Sequence, residues 1–134
     1  MKILRIVAAI VLALHGLIHF MGTFAYLRIL EVSSLPYKTL VLGGRWDLGE
    51  FGTGVFGALW GVAAIGFVIA SIAMLLNRSW WRLVLLAVTL LSLVITILDS
   101  SLALAGVMLN VVILLALWLE WRNVSNSPRS KFAA

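Results

Sequence analysis

Cysteine is absent from the 134-residue chain, so disulfides, thiolate metal sites and cysteine nucleophiles are all excluded. Charge is scarce: 11% of residues are charged and only five are acidic, whereas 63% are hydrophobic and mean hydropathy is +1.15. A soluble domain carries ~25% charged residues, so this composition describes an integral membrane protein with no room for a soluble domain. No serine or threonine stands out as an activated nucleophile and no glycine loop is built to cradle phosphate, which leaves hydrolase and nucleotide-binding functions without support. The formal charge of +5 does not point to nucleic acid either, because the basic residues are spread over the flanks of hydrophobic segments.

What is present is a set of four apolar runs, at about 3–27, 54–76, 80–98 and 102–119. A spanning helix needs ~20 apolar residues. The runs predict an all-α fold, a four-transmembrane-helix bundle in up-down-up-down order, with one domain over residues 1–122. The uncharged stretch 6–27 of the first run follows Lys2 and Arg5 and contains Thr23-Phe24-Ala25, which imitates a cleavable signal peptide; its length and its two histidines favour a retained helix. Residues 28–52 make the one substantial loop, with Pro36 and Gly43-Gly44. Within it residues 35–42 could form a short interfacial helix, and Trp46 suits headgroup depth. Residues 77–79 and 99–101 are tight connections, Trp80, Trp81 and Arg82 mark one interface, and Trp118, Trp121 and Arg122 close the fourth span. Residues 123–134, with Pro128, Arg129 and Lys131, read as a short exposed tail.

Counting Lys and Arg by side orients the bundle. Lys2, Arg5, Arg78, Arg82, Arg122, Arg129 and Lys131 fall on one side, and Arg28, Lys38 and Arg45 on the other. The positive-inside rule places both termini in the cytoplasm and the long loop outside, in the cytoplasmic membrane if the source is bacterial or archaeal. Span two opens with Gly52, Gly54, Gly57 and Gly61. Gly57 and Gly61 are one turn apart and leave a face on which a neighbouring backbone can pack closely.

Both histidines lie in span one, in the stretch His15-Gly16-Leu17-Ile18-His19-Phe20-Met21-Gly22. An ionisable residue inside a membrane is costly unless it faces protein or water, which makes the pair a candidate site. Helical rise puts His15 near the midplane, ~18 Å along the helix from Ile3, and His19 one turn closer to the outside. His15, His19, Gly22 and Tyr26 share one helical face; Thr89, Ser92, Thr96 and Asp99 form a similar stripe on span three. Glu50, Asp99 and Asn110 belong to the same outer half. If both stripes face inward, they line a polar cavity that opens outward.

Three chemistries fit these residue types. Histidines near pKa 6.5 beside a carboxylate can exchange protons, so His15, His19, Glu50 and Asp99 could handle protons for a quinone headgroup or a polar lipid, with Tyr26, Thr96 and Asn110 as ligand contacts. Alternatively, His15 and His19 at i, i+4 could share a transition metal ion with one acidic residue. The pair cannot clamp one haem from both sides, since both rings leave the same helix face. In a third reading the histidines only bond across the bundle, and Gly57 and Gly61 pack against a partner in an assembly or homo-oligomer.

The late His15-Gly16 pair in span one, Gly22 after it, Glu50 before a glycine-rich span two and a basic-aromatic turn before span three resemble the DoxX-like membrane proteins. His19 stands where that pattern has a lysine. The resemblance implies a small membrane subunit of a redox system, such as the small subunit of thiosulfate:quinone oxidoreductase, with a membrane oxidoreductase as partner. A more distant similarity to sterol-isomerase-type proteins, in a polar intramembrane pocket, implies an enzyme as the alternative.

Because the chain has no cysteine, single introduced thiols report orientation directly. Ser33→Cys is expected to react with a membrane-impermeant maleimide added to intact cells, and Ser79→Cys only after permeabilisation. The reverse pattern would invert the bundle.

Overall fold

The structure, a computed structural model, describes residues 2–125. Arg129, Lys131 and Pro128 of the tail lie outside the described residues. Four helices make up most of the described residues: α1 (Lys2–Tyr26), α2 (Gly49–Leu75), α3 (Trp81–Leu98) and α4 (Ser100–Ser125), with a small antiparallel hairpin, β1 (Leu40–Val41) and β2 (Trp46–Asp47), in the loop after α1. All four helices are long and apolar enough to cross a membrane. The shortest, α3 with 18 residues, is ~27 Å long at 1.5 Å per residue, close to the ~30 Å hydrocarbon core. The protein is a multi-pass membrane protein in a lipid bilayer, built as a four-helix bundle.

Loop and helix ends depart from the expectations above in ways that have physical causes. No helix forms over residues 35–42; the segment instead enters the hairpin, whose turn carries Leu42, Gly43 and Gly44 at positive φ. Two successive glycines make that left-handed course accessible. Helix α2 begins at Gly49 rather than near Gly54, because Asp47 Oδ1 accepts the Gly49 N–H at 3.0 Å and holds the first turn in place ahead of the apolar run. The same Gly49 N–H, together with the Thr39 hydroxyl, holds the Asp47 carboxyl below the usual carboxylate range. Helix α4 starts at Ser100, where the Asp99 carbonyl receives the Leu102 and Ala103 N–H groups, and it bends at Ala103.

The helices pack in sequence: α1 against α2, α2 against α3, and α3 against α4. The α1/α2 seam is the tightest. A Cβ on Gly22 would fall 2.3 Å from the Trp60 ring, and one on Gly16 would fall 2.8 Å from Phe67 Cβ and 2.9 Å from the Ala64 carbonyl oxygen. From the other side, Gly57 lies against Tyr26 and Gly61 against Thr23. Close backbone approach substitutes here for the hydrophobic effect, which offers nothing between helices already in lipid. By contrast, α1 and α4 meet at few points, and most of the α4 surface is exposed apolar side chain such as Leu104, Met108 and Val112.

Salt bridges and cation–π contacts sit at the two ends. Arg82 pairs with Glu120 at 2.7 Å where α3 begins and α4 ends, and Arg122 lies over the Trp118 ring. At the loop end Arg28 pairs with Glu50 at 3.2 Å and lies over the Tyr37 ring.

Gly22→Ala is expected to lower stability by about 1–3 kcal/mol, the usual cost of forcing volume into a packed seam, with a matching fall in Tm in detergent. Gly54→Ala, whose added methyl meets nothing within 4 Å, is the control and should leave Tm unchanged or raised.

Candidate functional site

The stripes on α1 and α3 face each other across the bundle. Both helices run in the same direction and meet in register: His19 Nε2 lies 2.7 Å from Ser92 Oγ, and seven residues on in each helix Tyr26 Oη donates to Asp99 Oδ2 at 2.6 Å. These polar groups are therefore engaged with one another. Helix α4 joins from the antiparallel direction through the buried Asn110, which donates from Nδ2 to Ser92 Oγ at 2.8 Å and to Thr96 Oγ1 at 3.2 Å. Asn110 Oδ1 lies 3.2 Å from His15 Nε2.

Hydrogen-bond bookkeeping assigns the tautomers. His19 Nδ1 faces the His15 carbonyl at 2.9 Å, and a carbonyl only accepts, so Nδ1 carries the hydrogen. His19 Nε2 then accepts from the Ser92 hydroxyl, whose oxygen in turn accepts from Asn110. Thr96 donates to the Ser92 carbonyl at 2.7 Å, which leaves its lone pairs for Asn110. With Asn110 Oδ1 as acceptor, His15 donates from Nε2. Every donor in the network has an acceptor in this arrangement, and only His15 Nδ1 is left without a partner among the described residues.

Aromatic rings of α2 complete the surroundings. The His15 ring meets Phe67 edge-on at 4.7 Å between centroids and His19 at 4.6 Å; His19 lies 5.1 Å from Trp60. Each imidazole thus has an aromatic side toward α2 and a polar side toward α3 or α4. Trp60 is buried, and its Nε1–H has no partner among the described residues.

A crevice of about 260 Å³ lies along the loosely packed α1/α4 seam, with His15, His19, Trp60 and Thr96 in its wall. Exposed Ile18 and Met21 of α1 and Leu102 and Ala105 of α4 also line it, and Ser34 and Leu35 of the loop contribute to it. Its rim therefore combines exposed apolar side chains of α1 and α4 with the exposed Ser34 of the loop. A larger hollow of about 560 Å³ lies under the loop around Arg28, Pro36 and Tyr37 and contains neither histidine.

The structure therefore brings His15, His19, Thr96 and Asn110 together. Tyr26 and Asp99 form a second buried cluster nearer the loop, where Lys38 Nζ approaches Asp99 Oδ1 at 2.6 Å and also donates to Ser101 Oγ at 3.1 Å. Asp99 is wholly buried, and a buried carboxylate is tolerated only when paired; Lys38 supplies the charge. Glu50 is not brought to either cluster: its side chain is 82% exposed, in the surface pair with Arg28. Charge and hydropathy place residue 50 at a helix start but say nothing about which way it faces.

For a metal ion the donor set is thin. Among the described residues no group of three His, Cys, Asp or Glu side chains is placed to hold one, and three of the four imidazole nitrogens of the pair already have partners. Gly57 and Gly61 face α1 within the chain. Sequence reading missed Trp60 and Lys38. Trp60 had a usable signal, since it lies in the middle of a span with Phe56 at i−4 and Phe67 at i+7, away from the interfaces where tryptophans usually gather.

The chain matches no family model, no curated protein and no solved structure.

Asn110→Leu is expected to destabilise the bundle by about 2 kcal/mol, since it strips partners from His15, Ser92 and Thr96 at once. Thr89→Val removes only a hydroxyl bonded back to Leu85 of its own helix at 2.6 Å, and should cost under about 0.5 kcal/mol. Equal losses of Tm in the two variants would contradict the network.

Proposed function

We propose that the protein binds the headgroup of a quinone-like or other lipid ligand in the crevice between α1 and α4, and that it does so as a small subunit or accessory of a membrane oxidoreductase system. The observation that carries this reading is the pairing of exposed apolar side chains on the rim with two buried histidines in the wall. A ligand site is concave and mostly apolar, with a few polar groups that fix orientation, and drug-sized ligands take at least ~300 Å³. At about 260 Å³ the crevice suits a headgroup, with the tail lying outside along Ile18, Met21, Leu102 and Ala105. His15 is the direct contact, and His19, Ser92, Thr96 and Asn110 hold it in position. The resemblance to DoxX-like subunits of redox systems supports the oxidoreductase setting.

Decylbenzoquinol, kept reduced with dithionite, is the test ligand, its Kd read by equilibrium dialysis against empty nanodiscs of the same phosphatidylcholine. His15→Ala and His19→Ala are each expected to raise Kd about tenfold or more. Ala105→Trp, which fills the crevice from its exposed rim, is expected to abolish binding. Unchanged affinity in all three variants would remove this reading.

A further inference from the structure

The wall of the crevice carries more information than its shape. Among the described residues no Asp, Glu, Lys or Arg side chain lines it, so none of them neutralises a charged headgroup there, and an uncompensated charge in a low-dielectric site is costly. Five polar residues do line it: His15, His19, Ser34, Trp60 and Thr96. Both His19 nitrogens and the Thr96 hydroxyl are already engaged within the bundle, and Ser34 is exposed. One atom remains. His15 Nδ1 offers a lone pair, because the network commits the ring hydrogen to Nε2. The Trp60 Nε1–H is wholly enclosed and is not a contact of the crevice.

We infer that the crevice selects an uncharged amphiphile whose headgroup carries a hydroxyl, the hydroxyl hydrogen going to His15 Nδ1. The inference rests on the reading of the crevice as a ligand site and narrows it. A quinone has only acceptors and leaves this atom unpaired, whereas a quinol or another neutral hydroxyl lipid satisfies it. A phosphate-bearing headgroup finds no cation in this wall. Selection works by polar complementarity, since a site built to hydrogen-bond a hydroxyl leaves its own buried group unpaired when the hydroxyl is missing.

Three probes of equal chain length test this in phosphatidylcholine nanodiscs, with empty nanodiscs correcting for partition: 4-decylphenol, its methyl ether 4-decylanisole, and decyl phosphate. The wild-type protein is expected to bind decylphenol about tenfold more tightly than decylanisole, and decyl phosphate more weakly than decylphenol. His15→Phe, which keeps a ring and removes the acceptor, should bring decylphenol close to the affinity of decylanisole. Equal wild-type affinities for decylphenol and decylanisole, both abolished by Ala105→Trp, would overturn the hydroxyl inference and leave the crevice a ligand site. Tighter binding of decyl phosphate than of decylphenol would overturn the uncharged class. Affinities indifferent to Ala105→Trp would overturn this inference together with the crevice reading. The ratio is measured on the wild-type protein, so the test stands even if His15→Phe fails to fold.

Discussion

The polar interior of this bundle depends on one carboxamide. Asn110 reaches from α4 to His15 on α1 and to Ser92 and Thr96 on α3, and so ties together three helices, two of which barely touch otherwise. A carboxamide suits the position because it donates two hydrogens and accepts at the opposite atom without carrying charge. In hydrocarbon, where no water can substitute, each of those groups would otherwise be stranded. The tautomers of both histidines follow from this one residue and from the carbonyl of His15.

Packing and polar bonding divide the bundle between them. On the α1/α2 side, glycines bring backbones and rings into direct contact, with Trp60 laid on Gly22 and Phe67 against Gly16. On the α1/α4 side there is no such seam, and the contact is a hydrogen bond with a crevice beside it. The bend at Ala103 lies in the wall of that crevice. A dense seam resists opening, whereas a seam held at a few polar points leaves room for a guest. The crevice therefore lies where close packing stops. Nearer the loop, Asp99 repeats the pattern on a smaller scale: buried, it bonds Tyr26 from α1 and pairs with Lys38 from the loop, which fastens the loop to the bundle end.

Much of this was legible in the residues. The four spans follow from apolar runs of sufficient length. The faces of α1 and α3 follow from helical spacing, which put His19 with Tyr26 and Ser92 with Asp99 before their contacts were known. What spacing cannot supply is the partner of each face, since any of three neighbours could meet it. It therefore left open whether the stripes line a cavity or bond to each other, and they do mostly the latter. Glu50 shows the same blindness in a polar flank, where a helix-start charge can face the bundle or water. The hairpin at 40–47 escaped because its two-residue strands are too short for a period-2 pattern to register. Lys38 had no local signal at all, because its partner is 61 positions away in the chain.

The most direct test of the account is a map of the lipid-embedded protein at a resolution that shows side-chain and ligand density in the α1/α4 seam. Non-protein density is expected in the crevice, with a headgroup atom within hydrogen-bond distance of His15 Nδ1 and an apolar tail leaving between Met21 and Ala105. A seam closed by direct contact of α1 with α4, with His15 Nδ1 bonded to a protein group, would contradict it.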